Sequence, residues 1–207
     1  MTGPAQPAVS AIVLAGGRSR RFGSDKLQVE IDGRSLLAHA VQAVAQVAGE
    51  ILVVVGPGDE RALPAAQPPV RRVFDSEPGG GPLVGLLAGL EAAAEPLVVV
   101  VGGDMPALAP DVLALMIRML TTSDQAIGAV VLVARGRTEP LPAVLRTGAA
   151  SDVVGRLLAD GERNLQSLFV RLPTRAIEEG MWRALDPTGS TVRDVDRPSD
   201  LADLERS

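Results

Sequence analysis

Lys26 and three arginines, Arg18, Arg20 and Arg21, lie a few residues past an apolar run, Ala11-Ile12-Val13-Leu14, with Ala15-Gly16-Gly17 between them. Guanidinium forks and an ammonium are the side chains that grip phosphate oxygens. Adjacent glycines have no Cβ, so the backbone there can turn sharply and bring its N–H groups close to an anion. The residues alone leave two uses open, an anion cradle and a solvated basic turn. Spacing excludes two familiar phosphate loops. A P-loop needs Gly-x-x-x-x-Gly-Lys-Ser/Thr, but here five residues separate Gly17 from Gly23, and Lys26 lies three past Gly23. A dinucleotide fingerprint needs Gly-x-Gly-x-x-Gly, but here the glycines are adjacent and Arg-Ser-Arg-Arg follows.

Carboxylates follow other apolar runs. Val98-Val99-Val100-Val101 leads through Gly102-Gly103 to Asp104-Met105-Pro106. An acid directly after a buried strand sits where α/β sheets bind ligands, and a hard oxygen there suits Mg²⁺. A helix-capping or turn aspartate is the alternative. Asp75 closes a second strand-like run and precedes Gly79-Gly80-Gly81-Pro82-Leu83-Val84-Gly85. Three glycines allow close backbone contact with a flat ligand, and Pro82 opens a helix with free N–H groups. A merely flexible loop would read the same. Near the C-terminus, Arg193-Asp194-Val195-Asp196-Arg197-Pro198-Ser199-Asp200-Leu201 places two acids two residues apart. On a strand both would point to one face; capping of a last helix is the other reading.

Alternating elements must position these groups. Strands are expected at Val9–Leu14, Ile51–Val55, Val70–Phe74, Leu97–Val101, Ala129–Ala134, Pro142–Arg146 and Thr191–Val195, the fully apolar Leu97–Val101 being central. Helices are expected at Ser35–Ala48, Pro82–Ala94, Asp111–Leu120, Ser151–Ala159, Asn164–Val170 and Pro198–Glu205, with Asp59–Pro69 a short helix or loop. Asp186–Thr191, Asp-Pro-Thr-Gly-Ser-Thr, reads as a surface turn. The pattern predicts a three-layer α/β/α sandwich on a mainly parallel, Rossmann-like sheet. Residues 1–8 read as a flexible tail and 9–207 as one domain.

Composition narrows the function. Aromatic residues are only 2% of a chain that is 46% apolar, so the core must be Val, Leu, Ile and Ala. Absence of cysteine excludes disulfides and thiolate metal sites. The single histidine, His39, falls in a helical pattern and is expected to pack or face solvent. A net charge of −5 argues against a general nucleic-acid binder, while the local arginine cluster still suits one small anion. No signal peptide or membrane-spanning run is visible, and the expected location is cytoplasmic.

Leu14-Ala15-Gly16-Gly17-Arg18-Ser19-Arg20-Arg21-Phe22-Gly23-Ser24-Asp25-Lys26 resembles the signature loop of the nucleotidyltransferases with the GT-A-like fold, and within them the molybdenum cofactor guanylyltransferase family. Every fixed position of Leu-Ala-Gly-Gly, three residues, Arg, one residue, Gly, one residue, Asp-Lys is matched. Gly81-Pro82-Leu83-Val84-Gly85 resembles the family's Gly-Pro-Leu-Ala-Gly beside the base, with valine in the alanine slot. The related cytidylyltransferases usually open with Leu-Ala-Ala-Gly and lack that segment, so this chain sides with guanine. Gly56 departs from the asparagine common after the second strand.

The resemblance implies an Mg²⁺-dependent transfer of GMP from GTP to the terminal phosphate of molybdopterin, with release of pyrophosphate. It implies Arg21, Lys26 and Asp104 as catalytic residues. Leu14, Ala15, Gly16, Gly17, Lys26, Asp75, Gly81, Pro82, Leu83, Gly85 and Asp104 would bind the nucleotide. Asp75 would accept either from ribose hydroxyls or from the base edge. Asp104 would hold the metal. Asp194 and Asp196 stand where the family carries asparagine, and Asp196 could complete the metal site. Pro142, Arg163, Asn164 and Asp194 are the candidates on the acceptor side. Partners would be cofactor-biosynthesis proteins and recipient molybdoenzymes. Two rival readings are the same chemistry with another base or acceptor (a molybdopterin cytidylyltransferase, or a phospholactate or sugar-phosphate nucleotidyltransferase) and a silent nucleotide-binding adaptor. Sugar nucleotidyltransferases are usually longer, and an adaptor would need fewer phosphate and metal ligands.

Overall fold

A computed structural model describes residues 9–16, 25–77, 79–197 and 199–200. Gly17, Arg18, Arg20, Arg21 and Gly23, the expected tail and most of the expected last helix lie outside the described residues. The elements in chain order are β1 (Val9–Leu14), a 3₁₀ turn (Lys26–Gln28), the small hairpin β2 (Glu30–Ile31) and β3 (Arg34–Ser35), α1 (Leu36–Val44), β4 (Glu50–Val55) and β5 (Val70–Phe74). Then come α2 (Pro82–Ala92), β6 (Leu97–Gly102), α3 (Pro110–Thr121), β7 (Ala129–Ala134), β8 (Arg137–Arg146), α4 (Thr147–Ala159), α5 (Gln166–Arg171), β9 (Thr174–Ile177) and α6 (Glu179–Trp182).

Seven strands form one sheet in the order β5-β4-β1-β6-β8-β7-β9, and only β8 runs against its neighbours. The fold is the expected mixed α/β layer structure on a mostly parallel sheet. The apolar strands are buried on both faces. Val9, Ala11 and Val13 of β1 pack with Leu37 and Val41 of α1 and with Val112 and Met116 of α3. Ile12 points the other way, toward Leu83, Leu86 and Leu90 of α2 and Val154 of α4. Gly89 lets α2 come this close, since a Cβ there would lie 2.8 Å from Ile12 Cγ2.

Register sets where ligands can bind. Leu14 pairs with Gly102, Leu14 with Val54, and Val55 with Phe74, so β1, β4, β5 and β6 all finish at one edge. The strand order runs outward in both directions from β1, and the loops leaving such a switch point flank a crevice.

Several expected elements differ in the structure. β8 begins at Arg137 rather than Pro142. Pro140 and Pro142, which cannot donate to a ladder, fall where its register against β7 slips between Val131 and Leu132. The strand expected at Thr191–Val195 is absent: Ser190–Val192 forms a 3₁₀ turn, and the extended residues after it pair with no strand. Its β-branched residues are buried without a ladder: Thr191 bonds to the loop before α3, and Val195 packs on Ile31 and Leu36. β9 and α6 were not anticipated. β9 lacks clean alternation because it is an edge strand, and α6 is a single turn around buried Trp182, whose indole N–H donates to Val133 O at 2.8 Å. Asp59–Pro69 is irregular. His39 packs, with Nε2 2.9 Å from the Ile31 carbonyl. Among the described residues no helix is long and apolar enough to cross a membrane.

Candidate active site

Lys26 opens the 3₁₀ turn after the basic loop, and the Asp25 carboxylate caps that turn by accepting from Leu27 N at 3.2 Å. The cap aims the Lys26 side chain across the end of β1. Its Nζ lies 2.6 Å from Asp104 Oδ2 and 3.2 Å from Asp196 Oδ1, and it donates to Val195 O at 3.2 Å. Burial opposes the charged form of Lys26, but the bonds and charges of Asp104 and then Asp196 outweigh it, so its pKa is raised. The ammonium is therefore charged at neutral pH.

Asp104 leaves β6 through two glycines that its position requires. A Cβ on Gly102 would collide with Asp104 Oδ1, and one on Gly103 would crowd Leu37 and Leu14 O at 3.2 and 3.4 Å. Gly103 N donates to Leu14 O at 2.9 Å, so the turn is tied to the end of β1. Carboxylate oxygens of Asp104, Asp194 and Asp196 lie within 4.8 Å of one another. Oxygens around an octahedral Mg²⁺ at about 2.1 Å stand roughly 3 Å apart when adjacent and about 4.2 Å apart when opposite. The three oxygens thus suit a small hard cation after a modest closure.

Asp194 is exposed overall, yet its carboxyl group lies partly against protein. Burial first, then the charges of Asp196 and Asp104, push its pKa upward. Glu139 of β8 is a further acid facing this group: burial raises its pKa, and the Asp194 charge adds to the rise. Neither Glu139 nor the direct meeting of Asp194 with Asp104 was anticipated. The two-residue spacing of Asp194 and Asp196 was the available signal, and it works on an extended segment that is not a sheet strand.

The candidate nucleotide-binding residues outside this cluster meet at the same edge. Ala15 N continues the β1 ladder to Val54 O at 2.8 Å. Gly16 faces Asp75 and Gly56: a Cβ there would sit 3.5 Å from Asp75 Oδ2 and 4.0 Å from Gly56 N. Asp75 is fixed after β5 by its N–H to Val55 O at 2.9 Å. Its Oδ1 is buried without a hydrogen-bond partner among the described residues. Burial raises its pKa, with the Glu77 N–H pulling the other way. A carboxyl whose folded pKa is raised opposes folding as pH rises past its unfolded value. Asp75→Asn should therefore raise the Tm at pH 7 while weakening nucleotide binding about tenfold; a lower Tm with full nucleotide affinity would assign Asp75 to the scaffold.

Gly79 and Gly81 take φ of 75° and 90°, where a Cβ is disfavoured, and Pro82 starts α2 directly after them. A Cβ on Gly81 would approach Arg163 Cβ and O to 3.2 Å. Arg163 thus belongs beside the glycine loop: its guanidinium donates to Leu158 O and Glu162 O and lies 3.7 Å from Glu77 Oε2. Asn164 Oδ1 accepts from Gln166 N at 2.9 Å at the start of α5. Leu83 is fully buried, and a Cβ on Gly85 would lie 3.6 Å from Leu14 Cδ2 and Val54 Cγ1, so both positions face the sheet. Pro142 is buried behind a cis peptide bond.

Comparison with known proteins gives the family and the fold. A family model described as the MobA-like NTP transferase domain matches residues 11–176. A probable molybdenum cofactor guanylyltransferase of Chloroflexus aggregans is 35% identical over 201 residues, covering 96% of this chain and 94% of its own. A molybdenum cofactor guanylyltransferase of Burkholderia orbicola is 35% identical, covering 86% and 89%. Among solved structures, molybdopterin-guanine dinucleotide biosynthesis protein A of Archaeoglobus fulgidus superposes with a TM-score of 0.75 at 24% identity, covering 95% and 97% of the chains. A 2-C-methyl-D-erythritol 4-phosphate cytidylyltransferase of Thermus thermophilus shares the fold at a TM-score of 0.67 and 21% identity, covering 95% and 98%. Lys26 and Asp104 stand at the ends of the parallel strands, and the chain belongs to the MobA-like NTP transferase family of nucleotidyltransferases.

Proposed function

We propose that this nucleotidyltransferase transfers GMP from Mg²⁺-bound GTP to the terminal phosphate of molybdopterin and releases pyrophosphate. The observation that carries the reading is the convergence of Lys26 with Asp104, Asp194 and Asp196 at the sheet edge that also holds Gly16 and Asp75. Relatives named molybdenum cofactor guanylyltransferases, at 35% identity, support this choice of base and acceptor.

The acceptor phosphate attacks the α-phosphorus of GTP, one P–O bond forms, and the bond to the β-phosphate oxygen breaks. The attacking oxygen is already anionic, so positioning and charge neutralisation outweigh base catalysis. Lys26 supplies a permanent positive charge for the triphosphate, and Arg21 is assigned to the same task from the sequence motif. Backbone N–H groups of the Gly16-Gly17 loop would cradle the phosphates. Asp104 and Asp196 would hold the Mg²⁺, with Asp194 as a third oxygen donor rather than an acceptor contact. When bound, the ion would neutralise phosphate charge and hold the reacting oxygens in line. Asp75, with an unpartnered buried oxygen, would accept from ribose hydroxyls or the base edge, and the N–H groups ahead of α2 would meet the base. Arg163 would steady the base loop from the acceptor side, while Pro142 and Asn164 shape that side through the backbone.

The test is pyrophosphate release with Mg²⁺ and purified molybdopterin, comparing GTP, CTP and ATP. Release with GTP alone is expected. Release with CTP would show that the Gly79–Gly85 loop does not select guanine, and binding of GTP without release would favour another acceptor or a silent adaptor.

A further inference from the structure

Asp-Pro-Thr-Gly-Ser-Thr at Asp186–Thr191 reads as a surface turn, but Asp186 is only 5% exposed. Both carboxylate oxygens are used. Oδ1 accepts from Thr188 Oγ1 at 2.7 Å and from Gly189 N at 3.1 Å, and Oδ2 accepts from Thr191 N at 2.7 Å. An asparagine of the same shape could serve only one of these oxygen positions. Its amide would turn N–H toward either the Thr191 or the Gly189 N–H. The backbone at Gly189 has φ of 65°, which suits the tight return that the carboxylate closes.

This knot begins a strap that runs to the acid cluster. Ser190 Oγ reaches Ala107 O at 3.2 Å, and buried Thr191 accepts through Oγ1 from Ala109 N at 3.0 Å. Both contacts are to the loop between Asp104 and α3. Buried Val195 then donates its N–H to Asp104 O at 2.9 Å. Asp194 and Asp196 flank Val195, so their reach toward Asp104 depends on where the strap is pinned. Asp186 fixes its first end.

We infer that Asp186 is a positioning residue for the cation site: by closing the 186–191 turn it holds Asp194 and Asp196 against Asp104. The inference rests on the metal reading given above. A buried carboxylate is costly unless it is hydrogen-bonded, and here the turn's own donors satisfy both oxygens, so Asp186 closes the turn in one arrangement.

The test measures Mn²⁺ affinity by electron paramagnetic resonance, with Tm and steady-state kinetics alongside, in Asp186→Asn and in Asp104→Asn as the reference. Asp186→Asn is expected to weaken Mn²⁺ binding about tenfold and to lower kcat at saturating Mg²⁺ with KM for GTP changed less than twofold. Thr188→Val, which removes one donor to the carboxylate from an exposed position, keeps the question answerable should Asp186→Asn fold poorly. It is expected to weaken Mn²⁺ about threefold, with Thr188→Ser restoring most of the loss. If Asp104→Asn weakens Mn²⁺ while Asp186→Asn and Thr188→Val lower only the Tm, the positioning role is overturned and the metal reading stands. If Asp104→Asn leaves Mn²⁺ binding unchanged, the metal reading fails and takes this inference with it.

Discussion

Asp104→Asn is expected to lower kcat/KM by on the order of 10³-fold, about 4 kcal/mol of transition-state stabilisation, and to move the Mg²⁺ titration to much higher concentration. The amide keeps the shape that Gly102 and Gly103 make room for, so the strand end should hold its form. What it loses is one negative charge at the centre of the site. Asp104 also holds Lys26 at 2.6 Å, and an amide oxygen is a weaker partner for an ammonium. Lys26 would keep Asp196 and Val195 O, which limits the structural damage. Loss of metal affinity with little change in Tm would therefore separate ligation from folding. An unchanged metal titration would rule Asp104 out as a ligand.

Lys26→Ala is expected to cut kcat by about 10²- to 10³-fold, the range seen when one preorganised charge-stabilising group is removed. The pair with Asp104 is largely covered, with side-chain exposures of 18% and 23%, so its loss should also lower the Tm in the absence of metal. The variant should behave in the opposite sense toward metal. In the wild-type chain the ammonium stands among the carboxylates where it neutralises them. Its removal leaves Asp104, Asp194 and Asp196 facing one another without it, so Mn²⁺ should bind the nucleotide-free variant more tightly than the wild type. Near-full turnover in Lys26→Ala would remove the triphosphate role, and weaker Mn²⁺ binding would mean that the lysine does not compete with the cation. In the wild-type chain the raised pKa keeps Lys26 charged through neutral pH.

Much of the scaffold follows from local pattern. The runs Val9–Leu14 and Leu97–Gly102 are apolar on both faces, and only a doubly covered central strand can accommodate them. Pro82 and Pro110 mark helix starts because their missing N–H falls among groups that an α-helix leaves unpaired anyway. Edge elements were less legible. β9 has one buried and two exposed residues among its four, and that pattern carries no period. The C-terminal strap misled for the opposite reason. Its β-branched residues satisfy the strand pattern, but Thr191 is buried against the loop after Asp104 and Val195 against Ile31 and Leu36.

The sequence by itself raised the class of chemistry as an expectation: a glycine turn followed by cations, and an acid after a buried strand, are what anion and cation binding at one end of a parallel sheet would need. Those signals are local, since each is written within about a dozen consecutive residues. Only the tertiary structure decided which distant groups share a site. Lys26 and Asp196 are separated by 170 positions and lie 3.2 Å apart, and Arg163 stands beside Gly81 although three helices intervene in the chain. It also turned Asp186 from a surface residue into the buried closure of a strap. A turn motif specifies its own backbone, whereas the surface that covers it is set by chain that arrives from elsewhere.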